Sequence, residues 1–158
     1  MAEIVISIAR QQLELHADGV KRFAISSAEK GPGEAAGSYQ TPRGRHIIRA
    51  KIGAGLPINS VFVGRRPTGE IYTPELGRLH PNRDWILSRI LWLSGCELGR
   101  NRSGNVDTMR RYIYIHGSPD EGEFGVARSH GCIRMRNADM VELFDRVKVG
   151  TPVLIRED

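Results

Sequence analysis

No stretch of this 158-residue chain approaches the ~20 consecutive apolar residues that a spanning helix needs, so a transmembrane segment is excluded. Cysteine is nearly absent. Cys96 and Cys132 are the only two, too few for a disulfide scaffold, although one bridge between them stays open. Aromatic residues make up only 6% of the chain, and no row of them interleaves with basic residues. The N-terminus, MAEIVISIARQQ, lacks the basic-then-apolar order of a secretory signal: Glu3 comes at once, and Arg10 and Gln11 follow before any long apolar run. As written, the chain is expected to start directly in its fold. Internal repeats are missing too, as is any linker that would separate two cores.

What is present is ordinary globular usage, 40% hydrophobic and 26% charged, and a single domain over residues 1–158 is expected. A chain of this length can bury about 68–70% of the surface its unfolded form exposes. The net charge is +5, and 19 of the 23 basic residues are Arg. Arg grips carboxylates and phosphates through a rigid fork, which makes nucleic acid the first partner to weigh. The clusters Arg43/Arg45/Arg49, Arg65/Arg66, Arg100/Arg102/Arg110/Arg111 and Arg128/Arg134/Arg136 are scattered, however, without zinc-finger spacing or an RNA-binding aromatic signature. The favoured reading is a basic surface and no nucleic-acid partner.

Two-residue periodicity dominates the first quarter. Residues 3–9, 12–16 and 20–26 read as strands, and Asp18-Gly19 between the last two is a hairpin signal. Residues 29–44 are loop by composition. Residues 46–52 predict a strand and 59–64 a short one. Residues 65–84, rich in Arg, Pro and Gly, predict a long irregular stretch of the kind that often forms functional loops. Residues 86–93 fit a helix stripe or a buried strand, and strand is preferred. Residues 112–116 read as a strand with Tyr112, Tyr114 and His116 on one face. One helix follows, with Asn137 as N-cap and Met140, Val141, Phe144 and Val147 as its apolar stripe; Gly150 and Pro152 stop it. Residues 153–155 predict a final strand. The pattern is mostly β with one or two helices.

The chemistry-bearing segment is Ile115-His116-Gly117-Ser118 followed by Ser129-His130-Gly131-Cys132-Ile133-Arg134-Met135. His116 ends a strand, so the backbone holds it firmly. Cys132 follows a turn in which Gly131 permits tight geometry, and successive N–H groups in such a turn can converge as an oxyanion hole. A thiol is a nucleophile only as thiolate, and a neighbouring imidazole can take its proton. The Gly117 carbonyl can orient that imidazole. One thiol, one imidazole and a Gly-rich turn suffice for acyl transfer. The residues alone equally allow a packed Cys and a hydrogen-bonded His, and a zinc site from His116, His130 and Cys132 is conceivable. Cys96 reads as a structural thiol, His46 and His80 have no ligand spacing, Asp107 reads as a loop residue, and Trp85 and Trp92 read as core or cleft wall.

SHGCIRM, with an upstream His-Gly at a strand end, resembles the active-site signature of the YkuD-type L,D-transpeptidases of bacterial cell walls. Residues 4–19 are similar to that family's opening hairpin, and Gln40-Thr41-Pro42-Arg43-Gly44 to its Thr-Pro-x-Gly element. The likeness spans roughly residues 3–156. It implies a β-sandwich of mixed sheets with one or two short helices. It implies Cys132 as nucleophile, His116 as base and then acid, and the Gly117 carbonyl as orienting group. The backbone N–H groups of His130, Gly131 and Cys132 would form the oxyanion hole, Ser129 would bond within the turn, and Arg134 would hold a substrate carboxylate. The implied reaction cleaves the diaminopimelate–D-Ala bond of a peptidoglycan tetrapeptide stem through a thioester and passes the acyl group to an amine. Water as acceptor would make a carboxypeptidase, and a protein lysine would make an anchoring enzyme. A basic wall-binding module without turnover is the non-enzymatic alternative. No metal or organic cofactor is needed, the partners are stem peptides, and a monomer is expected. The family points to the cell envelope or periplasm, while the missing signal leaves the cytoplasm open. With no wall-binding module beside the domain, residues 65–84, extending toward 110, are expected to form part of the cleft.

Overall fold

A computed structural model describes residues 1–158. Ten strands and two helices follow in the order β1 Glu3–Ser7, β2 Gln12–His16, β3 Val20–Ser26, β4 Gly44–Ile52, β5 Ser60–Val63, β6 Arg66–Ile71, α1 Pro74–Leu79, β7 Ile86–Gly95, β8 Tyr114–Ser118, β9 Ile133–Arg136, α2 Asn137–Arg146 and β10 Pro152–Arg156. The mostly-β expectation holds. The strands do not split into the two faces of a sandwich, however. They form one sheet in the order β4-β10-β1-β2-β3-β9-β8-β7-β5-β6, and a further pairing of β4 with β7 closes eight of them into a barrel-like ring. No helix is long and apolar enough to cross a membrane.

Alternation builds the interior. Ile4 and Ile6 of β1, Leu13 and Leu15 of β2, Phe23 and Ile25 of β3, Leu91 and Leu93 of β7, Ile133 and Met135 of β9, and Val153 and Ile155 of β10 all point into one core. Fully burying each such side chain is worth about 1.5–3 kcal/mol. Helix α2 packs on β7, β8 and β9 and adds Met140, Leu143 and Phe144 to the same core. The lysine ammonium of Lys51 holds the far end of that helix, donating to the carbonyls of Phe144 at 2.7 Å and Val147 at 2.8 Å.

Three local expectations change. Residues 65–84 are not irregular throughout, because they contain β6 and α1. Thr73 caps α1 by accepting from the Leu76 amide at 3.1 Å, with Pro74 in the first turn. Tyr112 does not join β8: its φ of 57° breaks the strand before Tyr114, and its ring is exposed. Asn137 is not an N-cap but the first helical residue. Its side chain turns inward, donating to the Ser118 carbonyl at 2.8 Å and accepting from Ser88 Oγ. Asp120 caps the helix from outside by accepting from the Asn137 amide at 3.0 Å. Leu143, rather than the half-buried Val141, completes the buried stripe.

Ser88 itself sits at φ 71° in a bulge of β7, between the pairs Leu87↔Gly117 and Ile90↔His116. Its hydroxyl also accepts from the Asn59 amide at 2.9 Å. Ser88 and Asn137 thus tie β7, β8 and α2 together. Replacing Asn137 with Ala leaves the buried Ser118 carbonyl without its donor. We expect a loss of about 1–3 kcal/mol in denaturant unfolding, and an unchanged midpoint would show that the network carries no stability.

Candidate functional site

The site lies on the outer face of the barrel, opposite the core. Strands β8 and β9 run parallel with Ile115 opposite Ile133 and His116 opposite Arg134. Side chains alternate, so Ile115 and Ile133 enter the core while His116, Arg134 and, one step before β9, Cys132 share the other face. Strand spacing and rise place the Cα atoms of Cys132 and His116 about 8 Å apart, a diagonal pair. The structure thus brings the two together on one surface, although no hydrogen bond joins them. The thiol instead donates to the Tyr112 carbonyl at 3.4 Å and accepts from the Tyr114 amide at 3.3 Å. Thiol–imidazole hydrogen bonds are often long or poorly aligned in structures without substrate.

His116 is buried, and its Nδ1 lies 2.6 Å from the Gly117 carbonyl. A carbonyl only accepts, so Nδ1 carries the proton and Nε2 is left as the free base. Gly117 is required by packing: a Cβ there would lie 2.5 Å from the Leu87 carbonyl oxygen and 2.5 Å from Asn137 Oδ1.

The turn before Cys132 is held from both sides. Ser129 is buried. Its hydroxyl donates to the Cys132 carbonyl at 2.6 Å and accepts from the Gly131 amide at 3.2 Å. Gly131 adopts φ 136°, which L side chains rarely do. Its carbonyl accepts from Thr41 Oγ1 at 2.9 Å, and that hydroxyl in turn accepts from the Ala28 amide at 2.9 Å. The Gly131 amide is engaged by Ser129, whereas the N–H groups of His130 and Cys132 have no acceptor within the protein. His130 is exposed, and its ring meets Tyr39 edge-on at 6.2 Å.

Burial sets the charge state. Loss of hydration pushes the Cys132 thiol up to about 12, with the Asp84 carboxylate adding to the rise and Arg134 and Arg111 opposing it. Burial also lowers His116, outweighing Asp84 and the Gly117 carbonyl, which act the other way. The resting pair at neutral pH is therefore a neutral thiol and a neutral imidazole. Cys132 as a residue is of intermediate exposure and is not disulfide-bonded.

Arg134 was read as a free carboxylate holder. It reaches Asp84 at 3.4 Å and lies against the Arg128 carbonyl at 3.4 Å, so its charge is partly answered. Asp84, Arg111 and the hydroxyl of Thr41 are contributors that the sequence reading did not single out. Arg111 donates to the carbonyls of Gln40 at 2.6 Å, Glu34 at 3.2 Å and Gly33 at 3.3 Å, pinning the segment that carries Thr41. The Thr-Pro-x-Gly match was the available signal for Thr41. Asp84 and Arg111 sit in no local pattern. The stretch 65–84 does flank the site: Arg65 donates to the Tyr114 hydroxyl at 2.9 Å at one end, and Asp84 meets Arg134 at the other.

Both cysteines are free, and Cys96 is exposed at the end of β7. His46 is a packed residue, hydrogen-bonded to the Gly44 carbonyl and Thr108 and lowered to about 4 by burial. No group of three or more His, Cys, Asp or Glu side chains is arranged to hold a metal ion, so His116, His130 and Cys132 do not converge as a ligand set.

Comparison with known proteins supplies independent findings. The family model of the YkuD L,D-transpeptidase catalytic domain matches residues 2–155. A putative L,D-transpeptidase of Bacillus subtilis, YqjB, is 50% identical over 48 residues, covering 30% of this chain and 27% of that protein. Among solved structures, an L,D-transpeptidase from Mycobacterium smegmatis superposes with TM-score 0.55 at 20% identity, over 98% of this chain and 59% of that one. L,D-transpeptidase 3 from Mycobacterium tuberculosis, in complex with a faropenem-derived adduct, superposes with TM-score 0.58 at 17% identity, over 99% of this chain and 60% of that one. At these identities the superpositions speak for the fold, and this chain spans about three-fifths of either mycobacterial chain.

The charge state is directly measurable. Carboxamidomethylation of Cys132 by iodoacetamide, followed by peptide-resolved mass spectrometry to separate it from Cys96, should rise about tenfold per pH unit from pH 7 to 10. A plateau below pH 8 would mean a preformed thiolate and contradict the neutral pair.

Proposed function

Since the chain belongs to the family of L,D-transpeptidase catalytic domains, we propose that it is a cysteine acyltransferase acting on peptidoglycan stem peptides. The observation that supports this reading is the β8–β9 register, which puts Cys132 and the buried His116 on the same face, beside the Ser129–Gly131 turn. The reaction has two halves. His116 Nε2 takes the thiol proton as Cys132 Sγ attacks the carbonyl of the diaminopimelate–D-Ala bond. The amide N–H groups of Cys132 and His130 supply donors for the oxyanion. The carbon–nitrogen bond then breaks, the imidazolium returns its proton to the departing D-Ala amine, and a thioester remains.

In the second half an acceptor amine attacks the thioester, His116 removes the amine's proton, and the thiol is regenerated. The Gly117 carbonyl stabilises the imidazolium in both halves through the bond to Nδ1. Arg134, bridging toward Asp84, is placed to meet a carboxylate beside the leaving group. The place of action is the cell envelope, where polymerised stems lie. Water in place of the amine would release the tripeptide, so the products identify the acceptor.

The test is a disaccharide-tetrapeptide incubated with and without a diaminopimelate-containing acceptor, read by mass spectrometry. D-Ala release with a cross-linked product is expected. Cys132→Ala should abolish release, and His116→Ala should slow it on the order of 10²–10⁴-fold. Undiminished release by Cys132→Ala would overturn the proposal.

A further inference from the structure

On the side of Cys132 away from His116, two arginines meet three aromatic rings. The guanidinium of Arg65 lies 4.8 Å from the Trp92 ring and 4.7 Å from the Tyr112 ring, and it donates to the Tyr114 hydroxyl at 2.9 Å. Arg49 lies over Trp92 at 5.6 Å. Trp92 is itself fixed, meeting Tyr114 edge-on at 6.1 Å and donating through Nε1 to the Met109 carbonyl at 3.1 Å. The same two tyrosines hold the nucleophile through their backbones, Tyr112 by its carbonyl and Tyr114 by its amide. Tyr114 thus contacts the thiol through its amide and the guanidinium through its hydroxyl.

Neither Arg49 nor Arg65 has a carboxylate within ion-pair distance, whereas Arg83, Arg128 and Arg134 each have one and Arg43 has two. Arg65 also holds an unusual backbone. It is the second residue of the two-residue Gly64-Arg65 turn between β5 and β6, with φ of 56° at Gly64 and 65° at Arg65. Such turns favour Asn-Gly, since both positions are left-handed. A long cationic side chain at a left-handed position, held against two rings and hydrogen-bonded to the Tyr114 hydroxyl, is orientationally restrained before any ligand arrives. Stacking leaves the edge of the guanidinium for hydrogen bonds, and an Arg edge matches a carboxylate in two-pronged fashion.

We propose that Arg65, backed by Arg49 and seated on Trp92 and Tyr112, is a specificity-determining subsite for a stem-peptide carboxylate remote from the scissile bond. The inference rests on the transpeptidase reading and adds to it the ionisation the donor must have. Arg65 sits at the hydroxyl tip of Tyr114 while the thiol sits at that residue's backbone, so the subsite is assigned to a carboxylate farther along the stem than that of the departing D-Ala, which lies one residue from the scissile carbonyl. Arg134, on the opposite side of the thiol, serves that nearer group. A stem whose remote carboxylate is converted to a carboxamide loses the charge that Arg65 recognises and is a poor donor.

The experiment compares the tetrapeptide with counterparts in which its carboxylates are converted to carboxamides one at a time, for the wild type, Arg65→Gln and Arg65→Lys. With the acid form, Arg65→Gln should lower kcat/KM on the order of 10- to 100-fold, mostly through KM, with Arg65→Lys in between. With one carboxamide form, wild type and Arg65→Gln should perform alike, so the acid-over-amide preference collapses in the variant. Iodoacetamide labelling of Cys132 should be unchanged in both variants. If Arg65→Gln loses the same factor on every form, Arg65 is a packing strut and the proposal fails. If the wild type releases D-Ala from no form, the transpeptidase reading itself falls and takes this inference with it.

Discussion

Parallel pairing of β8 with β9 is the constraint from which the site follows. Two strands close in sequence can run parallel only if the connection between them crosses over, and here residues 119–132 do so and end in the turn that carries Cys132. A slip of one residue in that pairing would drive His116 or Cys132 into the barrel interior. The register is pinned from inside by Ile115, Ile133 and Met135 in the core, and from beside by Gly117 packed against Leu87 and Asn137. The same hydrophobic packing that stabilises the barrel therefore sets the geometry of the reacting groups on its outer face.

Electrostatics around that pair are graded along the cleft. Burial favours the neutral forms of the thiol and the imidazole. Toward one end, Arg134 shares its charge with Asp84. Toward the other, Arg65 lies unpaired by any acid on an aromatic shelf. Between them, Thr41 and Arg111 transmit the position of the 29–44 loop to the Gly131 carbonyl through a short series of hydrogen bonds. The loop thus serves as a brace for the turn, which explains why a Thr-Pro-x-Gly element lies far in sequence from the cysteine yet against it in space.

Alternation and turn chemistry made most of the strands readable, since β1 and β2 each bury every second residue and Asp18-Gly19 supplies left-handed turn positions. The Cys132 and His116 positions were readable from chemistry and motif. What was not readable is long-range. The closure of β4 on β7 depends on sheet coiling that no local pattern encodes. β6 was hidden because Arg66-Pro67 reads as a turn, although Pro67 sits in an edge strand, where a missing N–H is tolerated. Asn137 looked like a cap because capping residues precede apolar stripes, but a buried carbonyl at Ser118 claimed its amide instead. Asp84, Arg65 and Arg111 act through tertiary proximity alone.

The most direct test is to acid-quench a reaction of the protein with tetrapeptide alone and map the covalent adduct by peptide mass spectrometry. An acyl group equal to the stem less D-Ala, released by hydroxylamine and located on the peptide bearing Cys132, is the predicted result. An adduct on Cys96, or turnover with no thioester at any sulfur, would contradict it.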